Sequence, residues 1–423
     1  MLKFTDRFAR RRFLKAATAA ATLATLDSQI AKAAGTPDPT ILVISGWQAA
    51  NIGDIAHTPG VLAILQKHLP AAKLILWPKS ESEETVRMLR KHFPKLTILG
   101  TEDAPTLEAA FAASDFALHS SGPMVVGHEM LRQWHSETGK PFGVLGVTIS
   151  YLNDPLKELL EKAAFVYTRE TKSLENLREA GIDTPTIGFA PDSTFAMSIR
   201  DEAKARQTLQ NVGLEDRPFV CAVPRLRKTP YHQIHDWARE NWSAERIGKL
   251  EALNARHAEP DHAKLRDAMI RWVRETGHAV LCCPEMTYQV DIIKPLLIDP
   301  LPEDVRPHVF SLGRYWLPDE AASVYSRARC VMSFECHSPI IALGAGTPAF
   351  YLRQPEDTIK GQMYYDLGMG DWVFEIEQTD GRQIGARLMD VHQQFDAAQE
   401  TRSMALAKAA RLHAAAMNSL RSV

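Results

Sequence analysis

The chain has 423 residues and a formal net charge of −2 at pH 7, from 49 Lys and Arg against 51 Asp and Glu. This near balance gives no electrostatic reason to expect nucleic acid or an anionic membrane surface as a partner. The length exceeds one ordinary domain of ~100–200 residues, so two or three domains are expected. All five cysteines lie after residue 220 without a CxxC pair, which favours buried free thiols over a disulfide framework.

The first 33 residues resemble a twin-arginine export signal. Arg10 and Arg11 are followed by Phe-Leu-Lys, an alanine-rich apolar stretch and an Ala-Lys-Ala cleavage pattern that ends at Ala33. The apolar stretch is shorter than the ~20 residues of a membrane span, and no other segment has that character. A basic amphipathic helix of a cytoplasmic protein is the alternative. We predict export to the periplasm or cell envelope, with no membrane span beyond the signal.

Beyond Thr40, short apolar runs alternate with helical patterns, which is typical of a parallel sheet with helices on both faces. Six predicted strands precede residue 170: TILVISGW, AKLILW, KLTILG, DFALHS, PFGVLGVTI and AFVYTR. The alternation lapses between about residues 184 and 218, and six more runs then follow: PFVCAVP, HAVLCCP, HVFSLG, CVMSFE, PAFYL and WVFEI. The predicted fold class is α/β, with two doubly wound Rossmann-like domains that face a shared cleft.

We assign the signal to residues 1–33, the N-terminal Rossmann-like domain to 38–200 and the C-terminal Rossmann-like domain to 217–380. Residues 381–423, which are alanine-rich and charged, are predicted to form a terminal helix or helix pair that packs back across the domains. The stretch from 231 to 261 is rich in Trp, His and Glu and is predicted to be an inserted helical segment.

The segment SFECHSPIIALGAGTP, residues 333–348, places a glutamate and a histidine where a buried strand ends and a helix begins. The predicted helix has Ser338 as its N-cap and closes at Gly344 or Gly346. In open α/β sheets, ligands bind at the carboxyl ends of the strands. The segment is therefore the first candidate for a functional site.

Glu335 and His337 are the candidate catalytic residues of this segment. In extended backbone, residues two apart face the same side, so these two side chains would point together and Cys336 away. A helix N-terminus lowers an imidazole pKa, whereas a nearby glutamate raises it and orients the ring. A histidine so placed suits general acid–base catalysis, and a structural histidine is the alternative. Ser338 is counted among the substrate-binding residues.

Two further loops carry polar groups at predicted strand ends. Asn51, Gly53 and Asp54 follow the first strand, where they would bind a hydroxyl or, as the alternative, cap the next helix. Arg225 and Arg227 end a buried strand of the second half and would point the same way toward the cleft. An arginine fork matches carboxylates and phosphates, and ion-paired loop arginines are the alternative.

Glu285 and Lys360 complete the candidate binding residues. Glu285 lies just past a strand, where it could hold a sugar hydroxyl, with a capping or turn role as the alternative. Lys360 follows the run PAFYLR and could reach the same cleft, although a surface lysine is the default. His232 and His235 form an HxxH pair without further ligand types, so we predict no metal site and no cofactor.

Taken together, these motifs resemble the polysaccharide pyruvyl transferase family over nearly the whole chain after the signal. The matching pieces, in chain order, are NIGD at 51–54, YTRETKSLENLREAGI at 167–182, PDSTF at 191–195, the segment at 333–348 and Lys360. Each piece is short, and the resemblance rests on their order and spacing. It implies a two-domain, glycosyltransferase-B-like protein, in agreement with the two predicted halves.

The resemblance also implies an activity. Such enzymes transfer an enolpyruvyl or pyruvyl unit from phosphoenolpyruvate to sugar hydroxyls and form a pyruvate ketal. By resemblance, His337 would protonate the donor methylene, and Arg225 or Arg227 with Lys360 would hold the donor carboxylate and phosphate. The loop from Asn51 to Asp54 would face the cleft. Glu335 stands where the family motif has arginine.

The predicted function is a pyruvyl transferase-like enzyme that uses phosphoenolpyruvate and acts on a sugar of an envelope or extracellular polysaccharide. The alternative is an exported, non-catalytic carbohydrate-binding or assembly protein that retains the fold. A glycosyltransferase with a nucleotide-sugar donor is a third hypothesis. The expected partners are phosphoenolpyruvate and a polysaccharide or oligosaccharide acceptor.

Overall fold

The computed structural model describes residues 38–80, 82–182 and 186–423. The predicted export signal lies outside the described residues. Of the helices in the described ranges, none combines the length and the apolar character that crossing a bilayer requires.

The first sheet is parallel throughout, with the strand order β3-β2-β1-β4-β5-β6-β7. Its strands are β1 (Thr40–Ser45), β2 (Lys73–Pro78), β3 (Thr97–Ile98), β4 (Phe116–His119), β5 (Phe142–Val147), β6 (Phe165–Thr168) and β7 (Thr186–Phe189). Helices α1 (Ile52–His68), α2 (Glu83–His92), α3 (Leu107–Ala113), α4 (His128–Thr138), α5 (Asp154–Leu160) and α6 (Thr171–Glu179) connect them. Every residue of β4, β5 and β6 is buried, because helices cover both faces of the sheet.

The second sheet is also parallel, with the strand order β10-β9-β8-β11-β12-β13. A 3₁₀ turn (Ser193–Ala196) and α7 (Glu202–Asn211) lead into it. Its strands are β8 (Phe219–Val223), β9 (Ala279–Cys282), β10 (Val309–Ser311), β11 (Val331–Ser333), β12 (Ala349–Arg353) and β13 (Val373–Glu375). Its helices are α8 (Tyr231–Ile234), α9 (Asp236–Asn241), α10 (Ala244–Thr276), α11 (Gln289–Ile293), α12 (Pro318–Tyr325), α13 (His337–Ala345) and α14 (Gln362–Asp366).

Two terminal helices, α15 (Gly381–Gln393) and α16 (Phe395–Arg421), follow the second sheet. Near the start of α16, the Gln399 side chain donates to the Gly346 carbonyl of the second half at 2.7 Å. Near its end, the Ser419 and Tyr167 hydroxyls lie 2.9 Å apart in the first half. The terminal helix therefore ties the two sheets together.

The predicted two-domain α/β fold is confirmed, and each of the twelve predicted runs contains a strand. The strand that the sequence analysis missed is β7, which lies at the edge of the first sheet. Its four residues, TIGF, are only partly buried or exposed, so they lack the apolar run by which the buried strands were found. Pairing with β6 makes this segment a strand.

Each sheet has one position where the strand order reverses, between β1 and β4 in the first and between β8 and β11 in the second. Such a switch point opens a crevice at the carboxyl ends of the strands, where ligands bind in this class of fold. The loop after β1 leads into α1, and the loop after β11 leads into α13. Helices α1 and α13, which follow these two loops, contact each other.

Candidate active site

Helix α13 begins two residues earlier than predicted, at His337. Cys336 is its N-cap and already has helical dihedral angles, φ −84° and ψ −21°. The predicted N-cap role of Ser338 is therefore wrong. The backbone N–H of Ser338 donates instead to the Glu285 carboxylate at 2.6 Å, so a residue from the loop after β9 satisfies a free donor of the first turn. Gly346 ends the helix in the left-handed region at φ 108°, as one of the two predicted alternatives.

The early helix start removes the reason for expecting the two candidate catalytic side chains to point together. The prediction that Glu335 and His337 point together assumed extended backbone, and helical backbone at Cys336 removes that relationship. Glu335 accepts a hydrogen bond from Gln289 at 2.7 Å on one side of the segment. The Cys336 sulfur, predicted to point away, lies 3.4 Å from Nδ1 of His337.

His337 instead belongs to a buried cluster that joins the two halves of the molecule. Its Nε2 lies 3.2 Å from Nε2 of His57, which lies in α1. Nε2 of His57 lies 3.1 Å from Oδ2 of Asp192, and that oxygen is 3.6 Å from Nε2 of His337. Asp192 follows β7 and caps the 3₁₀ turn at 193–196 by accepting from the backbone of Thr194.

His57 and Asp192 were not predicted as site residues. The stretch PDSTF at 191–195 was singled out only as a motif, and His57 lies just past the NIGD motif. Their positions are the signal that could have found them: Asp192 lies within one motif of the family resemblance, and His57 lies beside another. Their role depends on a contact that spans 280 residues of chain.

Arg169 holds Asp192 in place from the end of β6. Its Nη1 donates to Oδ2 of Asp192 at 2.9 Å, and its Nε donates to the Thr148 hydroxyl at 2.6 Å. The side chains of both Arg169 and Asp192 are 0% exposed. A fully buried ion pair of this kind orients the carboxylate, and it becomes costly when either partner is lost.

The surroundings of His337 favour its protonated form. Burial alone would lower the pKa of His337, but the neighbouring Cys336 sulfur and the carboxylates of Asp192 and Glu285 raise it well above its ordinary value. Nδ1 of His337 lies 3.4 Å from Oε1 of Glu285. Burial would likewise raise the pKa of Asp192, but His57 and His337 hold it well below its usual range. The cluster therefore keeps a proton on a buried imidazole, as a general acid requires.

Gly53 is the closest neighbour of the His337 ring on the α1 side. A Cβ at position 53 would lie 2.3 Å from Nδ1 of His337, well inside van der Waals contact. The absence of a side chain at this position lets the ring lie against the first turn of α1. The predicted binding residue Gly53 thus acts on the position of His337.

We expect Gly53→Ala to lower the rate of a reaction at His337 by about 10²-fold, because a displacement of ~1 Å at a reacting group has that effect. The overpacked contact should also cost about 1–3 kcal/mol of unfolding free energy. Rate assays and urea denaturation measure the two effects. The matched control is Gly248→Ala in α10, where an added Cβ has no atom within 4 Å. Equal activity of the two variants would contradict the role of Gly53.

The other predicted residues of the NIGD loop have local roles. Asn51 caps α1, since its Oδ1 accepts from the Gly53 backbone at 2.7 Å. Of the two roles predicted for this residue, the structure shows capping. Asp54 accepts a hydrogen bond from Gln48. The backbone N–H of Ile52 donates to the Glu285 carbonyl at 3.0 Å, so this loop and the loop after β9 are joined. The NIGD loop therefore forms part of the contact between the two halves.

The predicted arginine fork is divided between two sets of carboxylates. Nε of Arg225 lies 3.3 Å from Glu335, and its Nη1 donates to Asp357. Arg227 lies 2% exposed and pairs with three other acids, Asp261, Glu356 and Glu377. The structure therefore shows the ion-paired alternative, and the two guanidinium groups do not form one anion site.

Lys360 reaches the Arg225 group, with its Nζ 3.8 Å from Asp357. Arg225, Lys360, Glu335 and Asp357 thus form one buried network beside His337. Burial raises the pKa of Glu335 to about 7, against the attraction of Arg225. The network can therefore take up or release a proton near neutral pH, and its net charge changes with that proton.

His57, Asp192 and His337 also have the composition of a metal site, since their ligand atoms lie within 4.8 Å of one another. Two imidazoles and a carboxylate suit Zn²⁺ or a related divalent ion. The guanidinium of Arg169 lies 2.9 Å from the same Asp192 oxygen that the ion would need, and this cation opposes a second one there. The guanidinium of Arg169 therefore argues against a metal ion at these three side chains.

A model of the polysaccharide pyruvyl transferase family matches residues 51–354, which is well over half of the chain. The chain belongs to the polysaccharide pyruvyl transferase family. The matched range contains His57, Asp192, Arg225 and His337, and it ends before Lys360. A search of curated proteins found no significant match.

Solved structures with a similar fold include two UDP-N-acetylglucosamine 2-epimerases. One has a TM-score of 0.54 at 10% identity and covers 88% of this chain and 93% of its own. The other, from Neisseria meningitidis with UDP-GlcNAc bound, has a TM-score of 0.53 at 10% identity and covers 91% and 100%. At this identity the likeness concerns the fold alone, which is a two-domain Rossmann-like fold of the glycosyltransferase-B type.

Proposed function

We propose that this member of the polysaccharide pyruvyl transferase family moves a pyruvyl group from phosphoenolpyruvate to a sugar of an envelope or extracellular polysaccharide. The observation that carries the proposal is the buried His337, whose protonated form is stabilised by Asp192 and Glu285 at the contact between the two halves. Family membership supplies the reaction class, and the cluster supplies the acid that the reaction needs.

In the proposed reaction, His337 donates a proton to the methylene carbon of the donor. The adjacent carbon becomes electrophilic, and a sugar hydroxyl oxygen bonds to it while the hydroxyl proton returns to the imidazole. A second hydroxyl of the same sugar then bonds to that carbon as phosphate leaves with the bonding electron pair. The second hydroxyl proton goes to the phosphate. The products are a cyclic pyruvate ketal and inorganic phosphate.

Arg225 and Lys360 are the cations that would receive the anionic donor. Both already contact Asp357, and Glu335 adds a second carboxylate to Arg225. The pKa of Glu335 is raised to about 7, so a large share of Glu335 is protonated near neutral pH. Each protonated Glu335 removes one negative charge from the network. Protonation of Glu335 is therefore the step by which this site gains affinity for an anion.

The direct test is to incubate the purified protein, without its first 33 residues, with phosphoenolpyruvate and oligosaccharide acceptors. Release of inorganic phosphate, together with a ketal methyl signal in the NMR spectrum of the acceptor, would support the proposal. Omission of the acceptor is the control for simple hydrolysis of the donor. Phosphate release that does not depend on the acceptor would contradict the transferase assignment.

The affinity for phosphoenolpyruvate should depend on the protonation of Glu335. A raised carboxyl pKa means that Glu335 is neutral below about pH 7 and repels the donor above it. We expect the dissociation constant of the wild-type protein to rise about fivefold more between pH 6 and pH 8 than that of Glu335→Gln. Calorimetric titration at both pH values measures this, and titration of the donor itself affects both proteins alike. Identical pH dependence in the two proteins would contradict it.

A second candidate function, a non-catalytic carbohydrate-binding or assembly protein, is favoured by one observation. The cations Arg225 and Lys360 are paired with carboxylates of the chain itself, so the donor must compete with them. Binding to a glycan array without turnover of phosphoenolpyruvate would support this second candidate.

We also propose that the protein is exported by the twin-arginine pathway, on the basis of Arg10, Arg11 and the Ala-Lys-Ala pattern. Cell fractionation should then find a chain that begins near Ala34 outside the cytoplasmic membrane. Arg10→Lys with Arg11→Lys should retain the precursor inside, because the receptor of that pathway recognises the arginine pair. A cytoplasmic protein that keeps its first residues would contradict export and would place the enzyme in the compartment where phosphoenolpyruvate is made.

A further inference from the structure

A cavity of about 510 Å³ opens beside the buried network that contains Arg225, between the loop after β8 and the first turns of α10. This volume lies in the range of small-molecule sites, ~300–1,000 Å³. Arg225 contributes to the wall of the cavity and also lies 3.3 Å from Glu335. The cavity is therefore next to the site where the donor would react.

The cavity wall is rich in cations. Five basic residues and a single acid line it, namely Arg225, Arg227, Lys228, Arg246, Lys249 and Glu356. Arg225 and Arg227 are neutralised by buried acids. Within the described chain, neither Lys228 nor Arg246 has a carboxylate within salt-bridge distance. These two exposed cations give the cavity a positive charge in a protein whose net charge is −2.

Two aromatic rings, Tyr231 and Trp242, form the other part of the wall. The rings are 6.3 Å apart and perpendicular, and the Arg246 guanidinium lies 4.0 Å from the centre of the Trp242 ring. Aromatic faces bind the apolar C–H faces of sugar rings, and cations beside them bind charged substituents. The segment that carries these rings also contacts the first half, since His235 lies 3.0 Å from the Gln48 side chain.

We propose that this cavity is the acceptor site and that the acceptor is an acidic saccharide that carries carboxylates. The aromatic rings would hold sugar rings, and Lys228 and Arg246 would pair with the carboxylates. The small volume of the cavity, about 510 Å³, and the near-neutral chain argue against nucleic acid, which needs an extended basic surface. The inference rests on the proposed function, because it names the substrate class of that reaction.

The test measures binding in the absence of phosphoenolpyruvate, so that it does not depend on turnover. A short oligogalacturonate and its carboxyl-reduced neutral counterpart are titrated into the protein, with calorimetry and tryptophan fluorescence as readouts. We expect the acidic oligosaccharide to bind about tenfold more tightly than the neutral one at low salt, and the difference to shrink at high salt.

The variant Lys228→Ala with Arg246→Ala should lose about tenfold in affinity for the acidic oligosaccharide and should leave the weak binding of the neutral one unchanged. Arg239→Ala is the matched control, because this exposed arginine lies on the same inserted segment outside the cavity wall. Both substitutions lie at the surface, and thermal unfolding verifies the fold. Trp242→Ala should weaken both oligosaccharides and remove part of the fluorescence change.

Equal binding of the two oligosaccharides, wild-type affinity in the double variant, or tighter binding of a single-stranded oligonucleotide would each overturn the inference. Binding without transfer of a pyruvyl group would leave the acidic-saccharide site standing and would count against the proposed function. Pyruvyl transfer to a neutral acceptor only would support the proposed function and would count against the acidic-saccharide site.

Discussion

Replacement of His337 by glutamine should lower the acceptor-dependent release of phosphate by about 10²–10⁴-fold, the range for loss of a general acid. Glutamine keeps a polar side chain of similar reach but cannot deliver a proton to the donor methylene. Burial alone would lower the pKa of His337, but Cys336, Asp192 and Glu285 raise it. The wild-type rate should therefore persist at pH values above the ordinary pKa of histidine and decline only at still higher pH.

The matched control for this variant is His128→Gln, because His128 lies in α4 with 46% of its side chain exposed. Both variants should have the circular dichroism spectrum of the wild-type protein, and only His337→Gln should lose activity. Full activity of His337→Gln would remove the acid role. A rate loss that is the same at all pH values, in a protein that binds the donor normally, would point to a positioning role instead.

Asp192→Asn should lower the free energy of unfolding by about 3 kcal/mol or more, because it leaves the guanidinium of Arg169 buried without its closest carboxylate. Arg169 is 0% exposed, and its remaining acidic neighbour, Glu170, lies 3.6 Å away. His57 and His337 lose a neighbouring negative charge at the same time. Urea denaturation at pH 7 measures the loss.

The control for this variant is Asp236→Asn, which breaks an exposed ion pair with Arg239 whose side chains are 82% and 61% exposed. Pairs of that kind contribute about 0–1 kcal/mol. The pKa of Asp192 is held well below its usual range, so its stabilising effect is present above the ordinary pKa of aspartate, ~3.9. The difference between wild type and Asp192→Asn should therefore shrink as the pH falls below about 4. A variant within 1 kcal/mol of the wild type at pH 7 would contradict the buried pair.

Strand positions could be predicted well from this sequence because a strand that is buried on both faces needs a continuous apolar run, which is a local property. The runs TILVIS and PFGVLGV are of this kind, and they form β1 and β5. The edge strand β7 has no such run, and the pairing with β6 decides its conformation. The start of helix α13 shows the same limit at the scale of two residues, since the Glu285 carboxylate that accepts from the Ser338 backbone comes from 53 residues earlier.

Residues at strand ends are within reach of sequence analysis, because the carboxyl edge of a parallel sheet is where ligands bind. Glu285, Arg225 and His337 were found in this way. The sequence does not predict which acids and bases then pair with each other. Arg225 and Arg227 both lie in the loop after β8, and yet their guanidinium groups contact different carboxylates.

The sequence by itself determined the parallel α/β architecture, the family and the histidine at the start of α13, because apolar runs and strand-end motifs are properties of short segments. Only the tertiary structure decided that His337 meets His57 and Asp192, which lie 280 and 145 residues away in the chain. It also decided that Glu335 pairs with Arg225. The physical reason is that a proton is held on a buried imidazole by charges gathered from distant segments, and folding alone brings those segments together.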